Sequence, residues 1–180
     1  MKIRFRIISL VVLLIVIGIV LARNTESNDN FMDDQMEALQ AYILQRDAIN
    51  PSISKVDVAW HVDHSLKTIN RIYEELEKSN PEEYRYTFSF SRICIFAWGD
   101  FPRGVAEAPK VVRPPEAIVT DNLYLQWEEA RQNLDKLKEL DDRVHFKHPY
   151  FNIINKGQTK RFLWIHTGHH LKIIEDILAK

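Results

Sequence analysis

The chain has one cysteine, Cys94, so no disulfide can form within it. It has only five glycines in 180 residues, and none builds a phosphate-cradling loop. No strained turn presents a nucleophilic serine, and no stretch repeats another. No large excess of one charge exists either: the formal net charge is -1. These absences exclude a disulfide scaffold, a phosphate-loop nucleotide enzyme and a solenoid. Cys94 lies in the apolar stretch "RICIFAW" and reads as a buried thiol used as a small hydrophobe.

Charge is uneven along the chain. Residues 1–23 carry Lys2, Arg4, Arg6 and Arg23 and no acid, so removing them leaves -1 - 4 = -5. A remainder this acidic argues against nucleic acid as a partner. From Ile7 to Ala22 no residue is charged, and the basic residues precede that run. The pattern predicts a transmembrane anchor or a signal segment over 1–23, cleavable after Ala22, with the acidic side outside the cytoplasm. Residues 24–30 read as a polar tether, and 31–180 as one domain.

Within that domain, apolar periodicity predicts long amphipathic helices over 31–48, 55–78, 121–140 and 159–179. Ser54 reads as the N-cap of the second. The short "TFSFSRICIFAW" reads as a further helix, because a strand there would have no partner. Segment 99–118 holds four prolines and two glycines without a period, a loop long enough to carry function. Residues 141–158 read as a second long connection. The expected fold is all-α, an up-and-down four-helix bundle.

The last helix places histidines where a core is expected. With about 100° per residue, His166 and His170 fall on the face of Phe162, Leu163, Ile173, Ile174 and Ile177. His169 lies at its edge, and Trp164 opposite it. An i, i+4 histidine pair is a common way for one helix to offer two nitrogens to a metal. Two core hydrogen bonds would satisfy the pair as well, so both readings stand. Gly168 between them weakens the helix and fits a close approach of another element.

A third ligand would come from "WHVDHSLKTI". The wheel places His61 at the edge of the buried face, with Ser65 and Thr68 beside it. It turns His64, with Asp63, toward solvent or a supporting role. Three histidines and one open position describe a catalytic rather than a closed site, and suit zinc, nickel or iron.

The spacing from Ser54 to His61 in "SKVDVAWH" and the late "HTGHH" before "LKII" resemble the DinB/YfiT-like metalloprotein superfamily. The loop "FPRGVAEAPKVVRPPE" (101–116) and the turn "HPYFN" (148–152) are similar to those of one uncharacterised bacterial branch of it. The resemblance spans about residues 31–178. It implies a four-helix bundle with one metal on His61, His166 and His170. Characterised members include thiol-dependent transferases and isomerases. Asn152 stands where related sequences often have glycine, a position whose left-handed geometry asparagine tolerates.

From these readings follow two expectations. One is a metal-dependent hydrolase or transferase acting on a small molecule. Asp63, or a residue of the 101–116 loop, would be its base or support its ligands, and Arg103, Lys110 and Arg113 would meet an anionic substrate from the loop. The other is a non-enzymatic module of the same fold, binding a ligand or partner, with structural histidines. His145 and His148, near the second connection, read as backbone-bonded loop residues or as a fourth ligand or base.

Overall fold

The computed structural model describes residues 11, 12, 14, 15, 29–105 and 107–179. Among the described residues the protein is mostly helical, with one small two-stranded sheet. From residue 29 onward there are five α-helices among the described residues: α1 (Asp33–Tyr42), α2 (Val58–Glu77), α3 (Phe90–Trp98), α4 (Thr120–Glu139) and α5 (Lys156–Leu178). The strands are β1 (His145–His148) and β2 (Asn152–Asn155).

The N-terminal expectation requires correction. Of segment 1–23 only residues 11, 12, 14 and 15 are described; they are helical and exposed. No helix among the described residues is long and apolar enough to cross a membrane. A membrane-anchored chain with its domain outside the cytoplasm therefore has no support. The cleavage position after Ala22 lies outside the described residues, as does most of the 24–30 tether.

α1 is shorter than its apolar pattern. Asp33 and Asp34 sit in its first turn, where the helix dipole favours acids. Met36 and Leu39 point inward, then a 3-10 turn, Ile43–Gln45, tightens the chain. The chain bends there because Ala48 and Arg46 give their carbonyls to the N–H groups of Val58 and Ala59, at the start of α2.

α2 is the central element, packing against α4 on one side and α5 on another. Its N-cap is Asp57, whose Oδ1 accepts the Trp60 N–H at 2.8 Å, and not Ser54 as the sequence suggested. Val58, Val62, Leu66, Ile69 and Leu76 fill its apolar face at 1% exposure or less. α5 opens with a capping box: Asn155 accepts from Gln158 N, and the Gln158 side chain returns to Asn155 N.

The second long connection proves to be a hairpin. β1 and β2 run antiparallel, pairing His145 with Asn155 and His148 with Asn152. Asn152 has φ 62°, the left-handed geometry expected there. Arg92 of α3 fastens the hairpin: its guanidinium donates to the carbonyls of Phe151, Ile153 and Thr87. Arg92 is buried, whereas Cys94 on the same helix is exposed. The buried thiol read from its apolar context is thus corrected. α3 sets Ile95 and Phe96, not Cys94, against the core.

A candidate metal centre between α2 and α5

Ligand-capable atoms of His64, His166 and His170 lie within 4.8 Å of one another, close enough to hold a metal ion. His64 comes from α2, and His166 and His170 from successive turns of α5. Nε2 of His64 stands 3.2 Å from Nε2 of His166. Two nitrogens on one tetrahedral ion, each at about 2.0–2.1 Å, are roughly 3.3 Å apart. The pair has the spacing of two ligands on a shared ion.

The sequence turned His64 toward solvent; the structure buries it at 4% exposure. Part of the reason lies outside α2. A 3-10 turn of the proline-rich loop, Lys110–Val112, packs against α2 and sets buried Val112 over this part of the helix. Trp60 stacks on the His64 ring at 5.0 Å between centroids. A helical wheel accounts for faces of one helix and carries no information about a loop that crosses it.

Backbone carbonyls at the edges decide the ring tautomers, because a carbonyl can only accept. His64 Nδ1 lies 2.8 Å from Val112 O, so Nδ1 carries the proton and Nε2 keeps its lone pair. The second chain is longer. Ser54 Oγ–H donates to Val56 O at 2.9 Å. The lone pairs of Ser54 Oγ then accept from His61 Nε2–H at 3.0 Å. His61 Nδ1 is left as an acceptor, and takes the Nδ1–H of His170 at 3.0 Å. This leaves His170 Nε2 with its lone pair. Fixing the far nitrogen of a histidine in this way is how proteins orient metal ligands.

The expected ligand His61 therefore stands one hydrogen bond behind His170, while His64 faces the other two rings. Ser54 could not serve both here and at the helix start, which Asp57 caps instead. Ser65 and Thr68 do not line a pocket: each hydroxyl donates to a carbonyl one turn back in α2.

All four rings are held neutral. Burial is the main cause throughout. It lowers His61 to about 4, helped by neighbouring His64. It puts His166 and His170 well below the usual imidazole value. It lowers His64 too, although the Val112 carbonyl opposes the shift. Neutral imidazole is the form that binds metal. His166 Nδ1 is enclosed without a partner.

The loop's other end closes a second side. The Phe101 ring stands edge-on to His166 and His169, at 6.3 and 5.8 Å. Asp100 holds that end down, bonding Lys172 at 2.6 Å and His169 Nδ1 at 3.1 Å. Burial would raise the Asp100 carboxyl, but the bonds from Lys172, Phe101 N–H and His169 outweigh it and lower it. Gly168 packs where a Cβ would come within 3.1 Å of Gln35 Nε2, a close approach by α1. Gln35 donates to the carbonyl of Trp164, which is 37% exposed.

The remaining candidates sit apart from the rings. Asp63, read as a surface carboxylate, is 2% exposed because α4 packs over it. It pairs with Lys67 and accepts from Gln126 at 2.9 Å, facing a cleft of about 330 Å3 that includes Pro115, Ile118 and Gln126. Arg103 pairs with Asp176 at 2.7 Å, and Arg113 lies 3.7 Å from Glu107. Lys110 is exposed in the loop's 3-10 turn. His148 Nδ1 accepts the N–H groups of Tyr150 and Phe151, and burial lowers it to about 4. His145 bonds Ser79 and the Arg143 carbonyl.

Sequence reasoning missed His64 as a member of the cluster, together with the Val112 carbonyl that orients it. The available signal was the long proline-rich loop, which needs a surface to cover, beside a helix carrying histidines three apart. No family model, no curated protein and no solved structure matches this chain.

Proposed function

We propose that this chain is a metal-dependent hydrolase or transferase of the DinB/YfiT-like type, a four-helix bundle of α1, α2, α4 and α5 acting on a small molecule. His64, His166 and His170 would hold a divalent transition metal, with zinc, nickel and iron the candidates. The reading is supported most by one observation. Two separate hydrogen-bond chains, each ending on a backbone carbonyl, aim lone pairs from His64 and His170 into the cluster.

An ion with an open position would act there as a Lewis acid, polarising a substrate or activating water near neutral pH. The protein's own contribution is positioning. Val112 and His61 hold two rings in the ligating tautomer, while Phe101 and Val112 limit water. Arg103, paired with Asp176, would have to exchange that partner to meet an anionic substrate group.

A second reading keeps the same distances without metal. His166 Nε2–H would donate to His64, and the rings would form a structural relay inside a ligand- or partner-binding module. His166 Nδ1 lacks a partner in both readings, so it does not separate them. Metal content does. Mass spectrometry of the full chain is expected to give about one transition metal, lost in His64→Ala and His170→Ala. Absence of metal after incubation with zinc, nickel and iron would sink the metal reading. Retention in His64→Ala with loss in His61→Ala would return the ligand set to His61, His166 and His170. Chelation should abolish activity and keep most of the fold; unfolding by chelator would favour a structural site.

A further inference from the structure

α3 is apolar on two faces. Ile95 and Phe96 turn inward, and Arg92 anchors the helix to the hairpin. The opposite stripe consists of Phe90, Ile93, Cys94, Ala97 and Trp98, spaced i, i+3, i+4, i+7, i+8. That is the spacing of a helix face made for burial. Here it faces out: Phe90 is 71% exposed, Trp98 62% and Ile93 42%, with Cys94 and Ala97 also exposed. The extended segment before α3 continues it. Thr87 turns inward to bond Ile153, while Tyr86 and Phe88 alternate outward at 64% and 68% exposure.

We propose that this surface is a homodimer interface, with the α3 stripe of one chain laid against that of a second copy. Area supports the choice. Four aromatic side chains about two-thirds exposed, each bearing about 150–250 Å2, present on the order of 500 Å2. That is most of the roughly 800 Å2 each partner contributes to a standard interface, before Ile93, Cys94 and Ala97 are included.

Charge supports a copy rather than a charged partner. From Tyr84 to Trp98 there is no acidic residue and only two basic ones. Arg92 is turned inward, and Arg85 bonds the carbonyls of Glu82 and Tyr84 before the stripe begins. A surface without charge of its own meets itself without repulsion, which a two-fold interface requires. Cys94 is the middle residue of the stripe, so two copies related by a two-fold axis bring their Cys94 thiols near each other. The face is independent of the histidine cluster, and the metal reading can fail without affecting it.

The test is sedimentation equilibrium on the full chain, with thiol cross-linking by a short bis-maleimide. The wild type is expected to be a dimer that cross-links through Cys94. Phe90→Glu combined with Trp98→Glu should weaken dimerisation by ~100-fold or more and abolish cross-linking, with an unchanged circular dichroism spectrum. Ile93→Arg, a single change at a partly exposed site, serves if the double variant misfolds. Leu44→Glu, at an 81% exposed leucine outside the stripe, should leave the dimer intact. A monomeric wild type overturns the proposal, whether Cys94 reacts freely or is shielded by the chain's own apolar run 7–22. So does a dimer that survives both stripe variants.

Discussion

The histidine cluster and the outer face of α3 depart from ordinary burial in opposite directions. One places imidazoles where apolar side chains belong; the other leaves aromatic rings in water. Buried polar groups are stable only when their hydrogen-bonding capacity is met, and the cluster meets most of its own with two chains ending on carbonyls. Exposed apolar groups have no such internal remedy, because only another surface can remove them from water. The polar site is therefore nearly self-sufficient within one chain, whereas the apolar face is completed only by a second.

The sharpest way to break this contrast is at the cluster. His64→Ala is expected to lower metal affinity by more than about 100-fold, given that supporting residues alone are worth 10–100-fold. Equilibrium competition with a chromophoric chelator measures it, and sedimentation should show the dimer unchanged. Next in size is Arg92→Ala, which leaves three carbonyls without their donor and unseats the apolar stripe. A loss of about 3 kcal/mol is expected in urea denaturation, with metal content kept.

Acid should act on the polar side of the comparison. His148 has an ordinary value of 6.5 and about 4 in the folded chain, where burial disfavours its charge. The unfolded chain binds the extra proton below 6.5, so the stability contribution is full above that pH and is lost as pH falls toward 4. Wild type should lose about 2–3 kcal/mol through this residue over that window. His148→Asn, which keeps an acceptor for the turn, should show a correspondingly shallower slope in urea titrations at several pH values. The smallest effect belongs to His61→Ala, which removes the acceptor of His170 but no ligand. A 10–100-fold drop in metal affinity is expected. Loss equal to that of His64→Ala would mean His61 binds the ion directly.

Much of the helical fold was legible in the sequence. α2, α4 and α5 begin and end within about three residues of their apolar patterns, because each runs long enough for the period to be unmistakable. α1 stops early because Arg46 and Ala48 give their carbonyls to α2, a contact no local pattern records. The four-residue strands of the hairpin are too short to show alternation. At the site, His166 and His170 could be read from one helix alone. His64 could not, since the carbonyl that orients it belongs to Val112, 48 positions along the chain. Nor could Asp63 and Cys94 be placed. The first is covered by another helix, and the second belongs to a helix with two apolar faces.

The bond from His64 to the Val112 carbonyl also bears on the order of assembly. α5 supplies two rings one turn apart, but His170 takes its orientation from His61 of α2, 109 positions away. His64 likewise acquires its orientation only when the Lys110–Val112 turn has come to rest against α2, another contact of long sequence separation. Metal capture is thus expected to follow folding rather than to nucleate it. In stopped-flow refolding, adding zinc should leave the main folding rate unchanged, and the metal signal should trail the recovery of helix.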